Sequence, residues 1–225
     1  LHQCLKSIEK AKQNIILEII IVDNNSVDQS IKMLKKYFSY VKIIQNTQNV
    51  GFAKANNQAI KEARGEYILL LNPDTIIQEN TLLQTIKYLK NHLDVGALGV
   101  KMIDGNGEFL PESKRSLPNP MSAFYKIFGF SKLLPKSKKF GEYHLNYLDK
   151  NKIHEIDVIS GAFFMTRSKI LQKIGMLDER FFMYGEDIDL SYRIQKSGYK
   201  NIYFPNTSII HYKGESTKKT SVNYI

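Results

Sequence analysis

Three acidic positions stand beside apolar runs, where a folded chain can aim polar side chains at a ligand. Asp23 follows the run IILEIIIV at 15–22, Asp74 closes Asn72-Pro73-Asp74 behind YILLL at 67–71, and Asp187 lies within YGEDID at 184–189. In an open α/β sheet, ligands sit outside the carboxyl ends of the strands, so Asp23 and Asp74 share a crevice if their strands lie close together. Taken alone, either acid reads rather as a turn former or helix cap; together they point to a site. Asp187 differs by position. Helical spacing puts it on the face of Leu190, Ser191 and Ile194, whereas Asp189 points outward, four residues before Arg193. An inward carboxylate with no evident cationic partner is a candidate general base, and complementing the helix dipole is its structural alternative.

Two further segments offer chemistry. In NVGFAKANN at 49–57, Gly51 turns the chain into a helix whose free N–H groups favour an anion such as a diphosphate. On that helix Asn56 falls within the apolar stripe of Phe52, Ala55, Ala59, Ile60 and Ala63. Its amide must therefore bond neighbouring backbone or reach a ligand, since an unpaired buried amide costs about 1–3 kcal/mol. His211 directly follows an apolar strand; the other four histidines read as structural.

The elements that must position these residues alternate. The apolar run at 15–22 predicts a strand buried on both faces. Ser26 and Gln29 form a capping-box pattern that predicts a helix bearing Ile31, Leu34 and Phe38. Then come a strand over 41–44, a helix over 52–63, a strand over 67–71, a helix over 80–91 and a strand over 95–103. This order implies right-handed crossovers and a mainly parallel central sheet flanked by helices, an α/β fold. Regularity stops at Asp104-Gly105-Asn106-Gly107, and four of the six prolines fall between Pro111 and Pro135. The stretch 111–152, with Phe124, Tyr125, Phe128 and Phe130 among lysines, reads as a substrate-side or membrane-facing insertion, or as a variable surface subdomain. Order returns over 156–166, with helices over 168–174 and 186–197 and strands near Ile202 and Ile209.

Composition fits one cored domain of 225 residues, 43% hydrophobic and 24% charged. No apolar run approaches the roughly 18 residues of a membrane span, and no secretory signal is evident at the start. One cysteine excludes an internal disulfide and suits a reducing, cytoplasmic setting; its helical spacing from Leu1, Leu5 and Ile8 predicts burial. The formal charge of +10 is densest at Lys132, Lys136, Lys138 and Lys139 and again at Lys213, Lys218 and Lys219. It suits a diphosphate, a nucleic acid or an anionic membrane face, and charge alone does not choose among them.

Taken in order, LHQCLKSI at 1–8, VDNNS at 22–26, NVGFAKANN at 49–57, LLLNPD at 69–74, GAFFMTR at 161–167, DERFFMYGEDIDLSYR at 178–193 and the string from His211 resemble family 2 glycosyltransferases, with closest similarity to bacterial rhamnosyltransferase-like members. The resemblance covers nearly the whole chain except 111–155. It implies a single GT-A catalytic domain over 1–225, with a nucleotide-sugar half (1–103), a variable insertion (104–155) and an acceptor and catalytic half (156–225). It implies that Asp23 contacts the nucleoside base, that Asn25, Gly51, Lys54, Asn57, Asn72 and Asp74 complete the donor side, and that Gly161, Tyr184 and Glu186 face the acceptor. Asp187 matches the family's catalytic base. Asp74 matches the last acid of the metal-binding motif, here with one carboxylate only, and His211 resembles the histidine that completes the site for Mg²⁺ or Mn²⁺ in some members. The family normally opens with a strand and nucleotide-contacting loop before the helix that begins here at Leu1.

The implied reaction is inverting transfer of a sugar, with rhamnose favoured, from a dTDP- or UDP-linked donor to a glycan or lipid-linked hydroxyl in cell-surface polysaccharide synthesis. The implied place is the cytoplasm, with peripheral contact at the inner face of the plasma membrane. A sugar-nucleotide nucleotidyltransferase is the enzyme alternative. A basic nucleic-acid- or lipid-binding module ranks lower because it leaves the three acids unexplained, so nucleic acid is not an expected partner.

Overall fold

The computed structural model describes residues 1–118 and 143–212. The lysine clusters at 132–139 and 213–219, and the aromatics at 124–130, lie outside the described residues.

Two sheets organise the described residues. After helix α1 (His2–Ala11), strand β1 (Ile20–Asp23) pairs in parallel with β2 (Lys42–Gln45), and helix α2 (Ser30–Tyr37) connects them. Helix α3 (Phe52–Glu62) leads to β3 (Tyr67–Leu71), β4 (Thr75–Ile77), helix α4 (Thr81–Asn91) and the long β5 (Val95–Ile103). Past a short 3₁₀ turn come β6 (His154–Glu155), β7 (Phe163–Arg167), helix α5 (Ser168–Ile174), helix α6 (Glu186–Lys196) and β8 (Lys200–His211). The second sheet has the order β3-β7-β5-β8-β4, with β6 alongside β8.

This sheet is mixed, which corrects the expectation of a mainly parallel one. β5 and β8 are parallel, while β7 runs antiparallel between β3 and β5, and β4 and β6 run antiparallel to β8. Strand–helix alternation correctly orients β3, β5 and β8. It is silent about β4, which follows β3 after a turn of only three residues, Asn72 to Asp74, held by Thr75 N–H donating to Asn72 O at 3.3 Å. Too short for a crossover, that turn forces a reversal.

Helices cover both faces of this sheet. On one, Leu82 and Leu89 of α4 and Ala11 of α1 pack on Leu98, Val100, Met102, Phe163 and Met165. On the other, α3, α5 and α6 bring Ala53, Ile170, Leu171, Leu190 and Ile194 against Ile68, Leu70, Phe164 and Tyr203. Burial on both faces explains the near-continuous apolar runs of β5 and β7. Truncating a fully buried ring such as Phe164 costs about 3–5 kcal/mol. Arg167, at the end of β7, donates to the carbonyls of Leu89, His92 and Val95, so its guanidinium serves the carbonyl-rich end of α4.

The strands expected near Ile202 and Ile209 are one, Lys200–His211, and the order expected from Ile156 becomes a strand only at Phe163. Two further local expectations fail early in the chain. The strand expected over 15–22 shrinks to Ile20–Asp23, and Ile16 is fully exposed at 102%. Residues 15–22 instead line one wall of an apolar cleft of about 600 Å³ whose opposite wall is β3. The helix expected from Ser26 begins at Ser30, because side chains capture the loop first. Asp23 Oδ1 accepts the N–H of Ser26 at 3.2 Å, and Asp28 Oδ1 accepts that of Ser30 at 2.9 Å. Among the described residues no helix is long and apolar enough to cross a membrane.

Candidate active site

The ends of β1 and β3 and the starts of β7, α3 and α6 meet along one rim. Asp23 ends β1 and is buried, its backbone carbonyl accepting Asn46 N–H at 2.9 Å. Asn46 joins a relay of amides: its Nδ2 donates to Asn24 Oδ1 and to Gln58 Oε1, each at 2.9 Å. Asn24 in turn donates to Gly51 O at 3.2 Å, which ties the β1 loop to the start of α3. Asn25 beside it is exposed with φ +66°, a left-handed conformation that asparagine tolerates.

Gly51 couples this side to the other half of the chain. Its φ is +87°, and a Cβ there would lie 2.7 Å from Phe182 O, so only glycine fits. The next amide, Phe52 N–H, donates to the same carbonyl at 2.7 Å. Lys54, one turn on, is exposed. Asn56 takes the structural option: its amide donates to Phe52 O at 2.9 Å. Asn57 is buried and bonds the far half, donating to Leu177 O at 2.8 Å and Glu179 Oε1 at 3.0 Å while accepting Leu177 N–H at 3.1 Å. The structure thus gives Asn57 the work of a clamp beneath the 177–182 loop.

Register brings Asp74 to His211. Thr75 of β4 pairs with His211 of β8, and Tyr212 N–H donates to Asp74 O at 3.0 Å. The two side chains, 9% and 13% exposed, approach to 3.4 Å between Asp74 Oδ1 and His211 Nε2. An imidazole and a carboxylate are suitable donors for a divalent cation whose remaining ligands are phosphate oxygens and water. Among the described residues no group of three or more His, Cys, Asp or Glu is arranged to hold a metal. The pair supplies two donors suited to a divalent cation and leaves its other ligands to come from elsewhere. Asn72, the first residue of this turn, donates its N–H to Ala162 O at 3.1 Å, beside Gly161.

Asp187 occupies the first turn of α6. Gly185 (φ +101°) and the strained Tyr184 (φ +68°) turn the chain into this helix, and Glu186, Asp187 and Asp189 complement its dipole. Tyr184 is exposed at the rim, and Glu186 is buried. Burial pushes the Glu186 carboxyl above its ordinary range, with the neighbouring Asp187 charge adding to the effect. Asp189 pairs with Arg193 at 2.7 Å, as its spacing predicts.

The reading of Asp187 as unpaired is corrected. Arg115 Nη2 donates to Asp187 Oδ2 at 2.5 Å, and Gly161 N–H donates to the same oxygen at 3.1 Å. Arg115 is separated from Asp187 by 72 residues and lies in a stretch with no periodicity, so no spacing signal points to it. A Cβ on Gly161 would touch both Phe52 and the Asp187 side chain, at 3.7 and 3.8 Å. A chain of contacts therefore runs from Asn24 through Gly51 and Phe52 to Gly161 and Asp187, and from Asn72 through Ala162 to the same point. Gly51, Asn72 and Asp187 lie along this chain of contacts, and Asp23 and Asp74 stand next to it in sequence, beside Asn24 and Pro73. The aliphatic cleft between β1 and β3 reaches it at Asn24, Asn56 and Asn72.

Comparison with known proteins identifies the family. The Glycosyl transferase family 2 profile matches residues 1–175. The chain is 24% identical over 237 residues to the N-acetylglucosaminyl-diphospho-decaprenol L-rhamnosyltransferase of Mycobacterium tuberculosis, covering all of this chain and 76% of that protein. It is 28% identical over 203 residues to Rhamnosyltransferase WbbL of Escherichia coli, covering 86% and 72%. Among solved structures it is similar to the mannosyltransferase PcManGT of Pyrobaculum calidifontis, in complex with GDP-Man and Mn²⁺, with TM-score 0.66, 17% identity and coverage of 96% and 54%. It thus spans about half the length of that structure. With one profile matched across most of its length and a GT-A fold of mixed sheet and flanking helices, the chain belongs to glycosyl transferase family 2.

Proposed function

We infer that the chain transfers a glycosyl group from a nucleoside-diphosphate sugar to a hydroxyl, with Asp187 as general base. The observation that carries the reading is the position of Asp187, a largely buried carboxylate on the rim that also holds Gly51, Asn72 and Asp74. The acceptor O–H bond breaks as its proton passes to Asp187. Its oxygen forms a bond to the anomeric carbon, and the bond from that carbon to the diphosphate breaks on the opposite face. One displacement inverts the anomeric centre.

On the donor side of this reading Asp23 meets the base, and Asn25, Gly51, Lys54 and Asn72 border the diphosphate. Asn57 supports this set from beneath. Asp74 and His211 would hold Mg²⁺ or Mn²⁺, which supplies Lewis-acid neutralisation of the leaving diphosphate. Gly161, Tyr184 and Glu186 form the acceptor side. Both curated relatives described above are named as rhamnosyltransferases, and the mycobacterial name specifies a diphospho-decaprenol, so a dTDP-linked rhamnose and a lipid-linked acceptor are the substrates favoured here. Such an acceptor calls for peripheral contact with the inner face of the membrane. The whole of 1–225 serves as one catalytic domain in this reading, 104–155 being its variable part.

The test incubates the full-length protein with dTDP-rhamnose, Mn²⁺ and a GlcNAc-diphosphate-lipid. Release of dTDP with an inverted anomeric centre in the product is expected. Pyrophosphate exchange without acceptor-dependent dTDP release would instead indicate a nucleotidyltransferase. Tight, steeply salt-dependent DNA binding without turnover would indicate a basic binding module.

A further inference from the structure

The Asp187 carboxylate is gripped from one side. Arg115 and Gly161 N–H both donate to Oδ2, and Oδ1 receives no hydrogen bond among the described residues. The grip is itself braced. Arg115 Nη2 also donates to Ile159 O at 3.3 Å, and the Arg115 backbone forms an antiparallel bridge to Val158, whose N–H donates to Arg115 O at 3.0 Å. Ile159 N–H donates at 3.1 Å to Ser191 Oγ, one helical turn beyond Asp187. The neighbouring Lys114 faces the opposite way, and its buried ammonium donates to Leu145 O at 2.8 Å and Leu148 O at 2.9 Å. The segment that carries Arg115 is thus pinned on both sides, and the 12%-exposed guanidinium cannot swing away without breaking several bonds.

A carboxylate without such a grip rotates and presents either oxygen. We propose that Arg115 is a positioning residue which, together with Gly161 N–H, fixes Oδ2 of Asp187 and leaves Oδ1 as the oxygen that takes the acceptor proton. The inference rests on Asp187 being the base. Arg115 keeps its own protons throughout: burial opposes its charge, but the charge and hydrogen bond of Asp187 outweigh that effect and hold the guanidinium protonated. The proton that reaches Oδ1 comes from the acceptor hydroxyl alone.

The experiment measures kcat and donor KM of the full-length protein for Arg115→Ala, Asp187→Asn and the double variant. Arg115→Ala is expected to lower kcat by about 10- to 100-fold with donor KM little changed, since misplacing a catalytic group by about 1 Å has that scale of effect. Millimolar guanidinium should restore part of the lost turnover in Arg115→Ala and none in Asp187→Asn. The double variant should be no slower than Asp187→Asn, because one residue acts through the other. Wild-type kcat in Arg115→Ala, a loss carried by donor KM, or multiplying losses in the double variant would each overturn the proposal. Should Arg115→Ala fail to fold, as judged by circular dichroism, Arg115→Gln takes its place with the same expected loss and rescue. An active Asp187→Asn would remove the base assignment itself; an inactive Asp187→Asn beside a fully active Arg115→Ala would remove only the role of Arg115.

Discussion

Two carboxylates on the rim, Asp74 and Asp187, each face a basic side chain, and the two pairs are built differently. Asp187 and Arg115 meet at 2.5 Å, a charge-assisted bond to which a backbone N–H adds a second contact on the same oxygen. Asp74 and His211 stand 3.4 Å apart, beyond ordinary hydrogen-bond length, on adjacent antiparallel strands whose backbones fix the spacing. The first arrangement immobilises an oxygen. The second sets two potential metal donors side by side. In the reading proposed above, the first pair aims a proton acceptor and the second captures a cation, and the difference in build matches those tasks.

The comparison breaks most sharply at Asp187. Asp187→Asn should lower sugar transfer at least about 10²-fold while leaving nucleotide binding intact, read by turnover and by calorimetric titration of the nucleoside diphosphate. Near-normal turnover would end the contrast. Asp74→Asn attacks the other pair and should weaken Mn²⁺-dependent binding of the nucleotide by about 10- to 100-fold, seen as loss of the added thermal stability that Mn²⁺ confers. An unchanged Mn²⁺ response would mean that Asp74 and His211 do not form the cation site.

Gly51→Ala tests whether the two pairs need a fixed separation. With φ at +87° and Phe182 O in the way, it should cost about 1–3 kcal/mol in denaturant unfolding and lower turnover as well. The smallest effect concerns the surroundings of Asp187. Burial raises the Glu186 carboxyl above its ordinary 4.5, so the folded state binds its proton more tightly than the unfolded one. Stability tied to this group is present below that value and declines as pH rises through the higher folded one. Glu186→Gln should therefore melt higher than the parent at neutral pH, and the difference should close as pH falls below about 4.5. A pH-independent difference would show that the burial penalty is absent.

Much of this was readable in the residues. β3 and β5 fall on the bounds that their apolar runs predict, because strands buried on two faces leave an unbroken signature. The alternation of strand and helix identified the α/β class, and the ordered motifs identified the family. Sheet polarity was harder: the reversal after β3 depends on a three-residue turn, and β7 inserts between strands far earlier in sequence. Asp23, Asp74 and Asp187 were visible as acids at the ends of elements. Arg115 was not, because a contact across 72 residues from an aperiodic segment leaves no local pattern. Asn57 shows the converse, since its motif is plain while its bonds to Leu177 and Glu179 emerge only in three dimensions.

The meeting of Gly51 and Phe52 with the Phe182 carbonyl has one more consequence. That contact is made by peptide groups, with no side-chain hydrogen bond in it. The clamp beneath it differs, because Asn57 holds the same loop through the Leu177 backbone and the Glu179 carboxylate. Side-chain substitutions can therefore loosen the clamp while the Gly51 contact, which depends on the main chain, keeps the two halves in register.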